Sequence, residues 1–85
     1  MQLEITKKAL KELGTIPKKA QMQIRARLWE IAADPFATLR NVERLRGEKN
    51  WFRLRVGDWR AAYTVDVERQ TVTVEHIAKR GEIYR

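Results

Sequence analysis

The run Trp51–Val56 alternates without a break: Phe52, Leu54 and Val56 are apolar, and Trp51, Arg53 and Arg55 occupy the positions between them. Successive side chains on a strand point to opposite faces, so one face of this strand must be buried while the other carries the arginines. Gly57-Asp58 follows at once, and the order Gly-X suits a two-residue type II′ hairpin turn. Trp59–Val65 is then the returning strand, with Ala61, Tyr63 and Val65 on the apolar face. The turn brings Arg60 back beside Arg53 and Arg55. Slipping the register by one residue would bury the arginines, so the pairing is tightly specified.

The rest of the chain is organised around this hairpin. Gln2–Ile5 reads as a short N-terminal strand, with Leu3 and Ile5 on one face. Thr6 can cap a helix over Lys7–Leu13, whose stripe is Ala9, Leu10 and Leu13, and Gly14 ends it. Pro17 suits the first turn of a second helix. In that helix Ala20, Ile24, Leu28 and Ile31 recur at helical spacing, with Trp29 and Ala32 alongside, and Trp29 is expected in the core. Asp34-Pro35 stops it, because proline cannot continue the hydrogen-bond ladder. Residues 34–50 read as an irregular connection that lies across the sheet edge, anchored by Val42 and Leu45. Asp66–Gln70 is a turn, and Thr71–Ala78 is a last strand carrying Val72 and Val74. The expected fold is α+β: an N-terminal strand and a two-helix hairpin packed on one face of a small antiparallel sheet of about four strands.

Length and composition narrow the function. A chain of 85 residues makes a single domain spanning 1–85, with a core small enough that a partner is expected to help hold it. The absence of cysteine excludes disulfides and thiolate metal sites and suits a cytoplasmic protein. No apolar run approaches the roughly 18 residues of a membrane span, and Met-Gln-Leu-Glu-Ile has no signal-peptide core. The net charge of +7 favours a polyanionic or acidic partner.

Candidate chemistry centres on the arginines. Arg53, Arg55 and Arg60 on one exposed face repel one another, a cost that makes sense where an anion sits among them. The planar guanidinium fork matches phosphate oxygens in pairs. The plain alternative is a solvated face, although such faces usually mix signs. The tail adds Lys79, Arg80 and Tyr84; the tyrosine can stack on a base, exchange a proton, or simply pack on the sheet rim. His76, the single histidine, is either a general base or a structural strand residue. Trp51 and Trp59 flank the arginine face, where each could stack a base or meet a hydrophobic partner. Carboxylates are scattered, and no metal cluster, nucleophile elbow or phosphate loop is present, so no metal or other cofactor is expected.

The stretch Leu45-Arg46-Gly47, followed by Trp51-Phe52-Arg53-Leu54-Arg55-Val56-Gly57-Asp58-Trp59-Arg60-Ala61-Ala62-Tyr63, resembles the core motif of RelE/ParE-superfamily toxins. The ending His76-Ile77-Ala78-Lys79-Arg80-Gly81-Glu82-Ile83-Tyr84 is similar to the family ending, with an arginine four residues before a tyrosine. The resemblance implies the toxin of a type II toxin–antitoxin system, an endoribonuclease cleaving messenger RNA at the ribosome. In such members the RNA 2′-hydroxyl attacks the adjacent phosphate without a metal, leaving a cyclic phosphate and a 5′-hydroxyl. It implies catalytic roles for Arg53, Arg55, Arg60, Arg80 and Tyr84, with Lys79 as a second choice in the tail; Lys79, Trp51, Trp59, His76 and Arg46 are the further expected RNA contacts. The best-known RelE toxins carry lysines where this chain has Arg53 and Arg55. Arginine effectively cannot lose its proton, so a general-base role passes to Tyr84 or His76. The implied partners are an acidic antitoxin, the ribosome and messenger RNA, with operator DNA reached only through the antitoxin and no membrane. The alternatives are a ParE-like inhibitor of DNA gyrase and a non-catalytic RNA-binding module.

Overall fold

Seven elements follow one another along the chain: β1 (Gln2–Ile5), α1 (Lys7–Leu13), α2 (Lys18–Ala33), β2 (Val42–Arg44), β3 (Trp51–Val56), β4 (Trp59–Asp66) and β5 (Thr71–Lys79). The computed structural model describes residues 1–37, 39–45 and 50–81. The strands form one sheet in the order β1-β5-β4-β3-β2. The expected α+β arrangement is present, with two additions. Val42–Arg44, expected as a connection, pairs with β3 as a fifth strand, Val42 opposite Leu54 and Arg44 opposite Phe52. The sheet is also mixed, because β1 runs parallel to β5, with Leu3 opposite Val72 and Ile5 opposite Val74.

Local chemistry explains the element ends. The Thr6 hydroxyl accepts the Ala9 N–H at 3.0 Å, satisfying one of the unpaired donors at the start of α1. Gly57 takes φ 57° while Asp58 does not adopt positive φ, the sign pattern of the type II′ turn that Gly-X favours.

Both helices cover one face of the sheet. Ala9, Leu13 and Ile16, with Ala20, Ile24, Leu28 and Ile31 of α2, pack on Phe52, Leu54, Ala61, Tyr63, Val65, Val72, Val74 and Ile77. Two residues depart from the expected core. Leu10 is 50% exposed and Trp29 is 62% exposed. Each helical residue turns about 100°, so with Leu28 at the centre of the buried stripe, Trp29 is carried out to its flank. Leu10 is displaced from Ala9 and Leu13 in the same way.

Tyr63 is fully buried, and its ring stacks on Phe52 with centroids 5.4 Å apart. Its hydroxyl has no hydrogen-bond partner among the described residues. Burial pushes its pKa up to about 12, with Arg27 pulling weakly the other way.

The period-two pattern breaks once. Ala62 pairs with His76, but Tyr63 pairs with Val74, so Glu75 is an extra residue in β5. Such a bulge shifts the parity of the strand, which is why Val72, Val74 and Ile77 all reach the core.

Candidate nucleic-acid interface

The face opposite the helices is built from the residues that alternate with the core. In β3 these are Trp51, Arg53 and Arg55. Arg55 lies directly across from Arg60, and Arg53 directly across from Ala62. Cross-strand partners point the same way, so the three arginines share one surface. The structure therefore brings Arg53, Arg55 and Arg60 together. A cleft of about 390 Å³ opens there, lined by Arg53, Arg55, Arg60, Asn41, Val42 and Glu43, at the small end of ligand sites.

Each guanidinium is held differently. Arg60 folds back on its own hairpin, where Nη1 donates to the Gly57 carbonyl at 2.8 Å and the Trp59 carbonyl at 2.9 Å. Burial, followed by Arg55, Arg80 and Arg53, lowers the Arg60 pKa from its ordinary value, against an opposing pull from Asp58. An arginine keeps its charge under such a shift, so the effect registers as crowding of positive charge. Arg55 donates to Asn41 Oδ1 at 2.9 Å, while its backbone N–H reaches the Asn41 carbonyl at 2.8 Å. Asn41 adopts φ 64°, a conformation asparagine tolerates better than most residues. Arg53 makes an ion pair with Glu43 of β2. The face is thus less uniformly cationic than β3 alone implies.

The start of the tail is fixed to the same hairpin. The Arg80 N–H donates to the Asp58 carbonyl at 2.7 Å, and Arg80 is close enough to Arg60 to perturb it. Lys79, by contrast, pairs with Trp59. Trp59 itself lies opposite Val56 and packs against the core, so it does not flank the arginines. Trp51 remains on the arginine side, half-buried and opposite Thr64. Tyr84 and Arg46 lie outside the described residues.

Three acidic residues at this sheet, two on its strands and one on α1, have no clear signal in the sequence. Glu43 belongs to a strand of three residues, too short to show a period. Glu75 accepts from the Thr64 hydroxyl at 3.0 Å and stands at the bulge, whose trace in the sequence is the broken spacing Val72, Val74, Ile77. Glu12 of α1 accepts the Ile77 N–H at 2.9 Å and contacts His76 Nδ1 at 2.8 Å. No local signal connects Glu12 to His76, because they are 64 positions apart. Among the described residues, no group of three or more His, Cys, Asp or Glu side chains could hold a metal ion. Nor is any helix there long and apolar enough to cross a membrane.

A five-stranded sheet covered on one face by a helical hairpin is the fold that this chain shares with solved RelE toxins. The isolated RelE toxin of Escherichia coli superposes with a TM-score of 0.83 at 23% identity, over 96% of this chain and 86% of that one. The archaeal RelE–RelB complex from Pyrococcus horikoshii gives 0.82 at 22% identity, over 96% and 97%. A YoeB/ParE toxin from Agrobacterium tumefaciens gives 0.78 at 20% identity, over 94% and 99%. No curated protein sequence matches this chain. The model of the family described as the ParE toxin of type II toxin–antitoxin system, parDE, matches residues 3–84. The chain belongs to that family and is a type II toxin of the RelE/ParE superfamily.

Proposed function

We propose that this toxin is an endoribonuclease that cleaves messenger RNA in the ribosome and so stops translation in the cytoplasm. The observation that carries this reading is the direct opposition of Arg55 and Arg60, with Arg53 and Arg80 beside them. Like charges placed across a strand pair are destabilising unless an anion relieves them, and a phosphodiester entering its transition state is such an anion. In this proposal Arg53, Arg55, Arg60 and Arg80 stabilise charge on the phosphate, and Tyr84 stacks on a base or moves a proton. Trp51 offers an aromatic surface next to the arginines, and Lys79 and Arg46 contribute charge at the margins. The RNA 2′-hydroxyl attacks the adjacent phosphate, giving a cyclic phosphate and a free 5′-hydroxyl, and no step uses a metal.

The partner in this proposal is an acidic antitoxin. Solved RelE relatives include complexes with RelB antitoxins, and the +7 charge of this chain suits capture by an acidic segment that folds as it binds.

The family model carries the ParE name, which favours a second reading, inhibition of DNA gyrase by the same fold. One experiment separates the two. The protein is incubated with translating ribosomes and, in parallel, with gyrase and supercoiled DNA. New 5′-hydroxyl ends on messenger RNA, persisting in chelator and reduced about 10²–10³-fold by Arg60→Ala, support the ribonuclease. Intact messenger RNA together with altered gyrase products would replace it with the gyrase reading.

A further inference from the structure

By strand register His76 lies on the arginine side of the sheet, with its ring held by Glu12 at the β5 edge. It is the cross-strand partner of Ala62, which is in turn the partner of Arg53, so the three residues form one row across β3, β4 and β5. Arg60 pairs with Ala78, two residues along β5 from His76, and is therefore its diagonal neighbour. Diagonal neighbours stand about 7–8 Å apart, within reach of an imidazole and a guanidinium sharing one substrate group. Ala62 is the only side chain between His76 and Arg53 in the row, and it is too small to screen one from the other. The bulge at Glu75 sets this parity: without the extra residue, position 76 would fall on the helix side.

Glu12 fixes the imidazole from behind. Beyond Ile5, β1 no longer covers the edge of β5, and α1 takes its place. The Glu12 carboxylate accepts the Ile77 N–H at 2.9 Å and meets His76 Nδ1 at 3.0 Å through the same oxygen and 2.8 Å through the other. An ionised carboxylate only accepts hydrogen bonds, so Nδ1 carries the proton in this contact. The exchangeable site is then Nε2, which has no hydrogen bond among the described residues. A carboxylate that orients an imidazole through one nitrogen, leaving the other to react, is a recurrent device.

We propose that His76 is the proton acceptor for the attacking 2′-hydroxyl and that Glu12 is its positioning residue; the catalytic half rests on the ribonuclease reading. Nε2 of neutral His76 takes the 2′-hydroxyl proton as the 2′-oxygen bonds to phosphorus. The bond from phosphorus to the 5′-oxygen breaks, and that oxygen takes a proton from water. The imidazolium then returns its proton to solvent. The charged groups on the side of His76 are Glu12 from α1, Arg60 from the adjacent β4, Arg53 one strand further on β3, and Glu75 beside it on β5.

The test has two arms. His76 is the single histidine, so its ring nitrogens give unambiguous nitrogen-15 resonances in the toxin alone. The parent protein should show the neutral ring protonated on Nδ1, and Glu12→Ala should lose that preference. A parent ring protonated on Nε2 overturns the proposal. The second arm measures single-turnover cleavage of ribosome-bound messenger RNA. His76→Ala should lower the saturated rate about 10²–10⁴-fold. Glu12→Ala should lower it about 10–100-fold, as loss of an orienting partner does, without changing the half-saturating concentration. Glu12→Gln keeps an acceptor for Ile77 and should retain its fold and part of the rate. In the His76→Ala background, Glu12→Ala should cost nothing further. An equal loss in both backgrounds would make Glu12 a strand-edge cap only, and a fully active His76→Ala would sink the assignment. If the parent cleaves no RNA, the ribonuclease reading itself fails and the catalytic role falls with it, a result distinct from an active parent with an indifferent His76.

Discussion

Arg55 and Arg60 stand directly opposite each other across the β3–β4 hairpin, two guanidinium groups in one cross-strand pair. The fold sustains this against their mutual repulsion by tying Arg60 to the carbonyls of Gly57 and Trp59, and Arg55 to Asn41. Arg55→Gln keeps an amide that can still donate to Asn41 and removes one charge. The variant should be more stable than the parent by about 0.2–1 kcal/mol at low ionic strength. That gain should fade towards 1 M salt, where the screening length falls to about 3 Å. Denaturant midpoints at two salt concentrations check it, and a loss of stability at low salt would mean the pair is not under electrostatic strain.

Glu43 occupies part of the same cleft as an internal anion, paired with Arg53. An entering phosphate must compete with it. Both side chains are partly exposed, so the pair itself contributes little to stability, within about 1 kcal/mol. Glu43→Gln should leave the unfolding midpoint nearly unchanged and tighten binding of a short RNA oligonucleotide. It frees one more cation for phosphate contact, so the slope of log affinity against log salt should steepen by about 0.7 for a single strand. Fluorescence anisotropy titrations across a salt series measure both quantities; unchanged affinity and slope would place the phosphate away from Arg53.

The hairpin that carries the arginines was legible because burial of one face leaves a strict period of two over Trp51–Val56, and Gly57-Asp58 specifies how the chain returns. The α2 stripe was legible for the same reason at helical period. Three features were not. β2 has three residues, fewer than a period needs to declare itself. The bulge at Glu75 inverts the parity of β5, so whether His76 joins the arginines depends on an irregularity that simple alternation misses. Glu12 reaches His76 only because α1 replaces β1 along the β5 edge, a tertiary fact with no local trace. The arginine cluster was therefore visible in the sequence, whereas the acids that trim and orient it were not.

Adjacent positions on α2 separate burial from hydrophobicity. Leu28 is fully buried and Trp29 is 62% exposed. Leu28→Ala should cost about 2–5 kcal/mol through lost transfer energy and a residual cavity. Trp29→Ala, despite deleting the larger side chain, should change stability by no more than about 0.5 kcal/mol, as surface substitutions do. Chemical denaturation of the isolated toxin compares them directly. A Trp29→Ala penalty approaching that of Leu28→Ala would require the indole to be packed in the folded protein.

Tyr63 gives the stability a distinctive alkaline limit. Its hydroxyl is buried without a partner among the described residues, and burial pushes its pKa up to about 12 from the ordinary 10.0. Below pH 10 the phenol is neutral in both folded and unfolded chains, so it adds no pH dependence. Between pH 10 and 12 the unfolded chain ionises first, which favours unfolding. A shift of about two pKa units corresponds to about 2–3 kcal/mol of stability lost across that window. Tyr63→Phe keeps the ring that stacks on Phe52 and removes only the hydroxyl. Deleting a buried, unpaired polar group should be neutral or stabilising by about 1 kcal/mol at pH 7. The gap between variant and parent should then widen steadily from pH 10 to 12, because the variant has nothing at this site to ionise. Urea unfolding of both proteins at stepped alkaline pH reads the difference directly, cancelling the lysines and other groups they share. Parallel curves would show that the Tyr63 hydroxyl is solvated in the folded state.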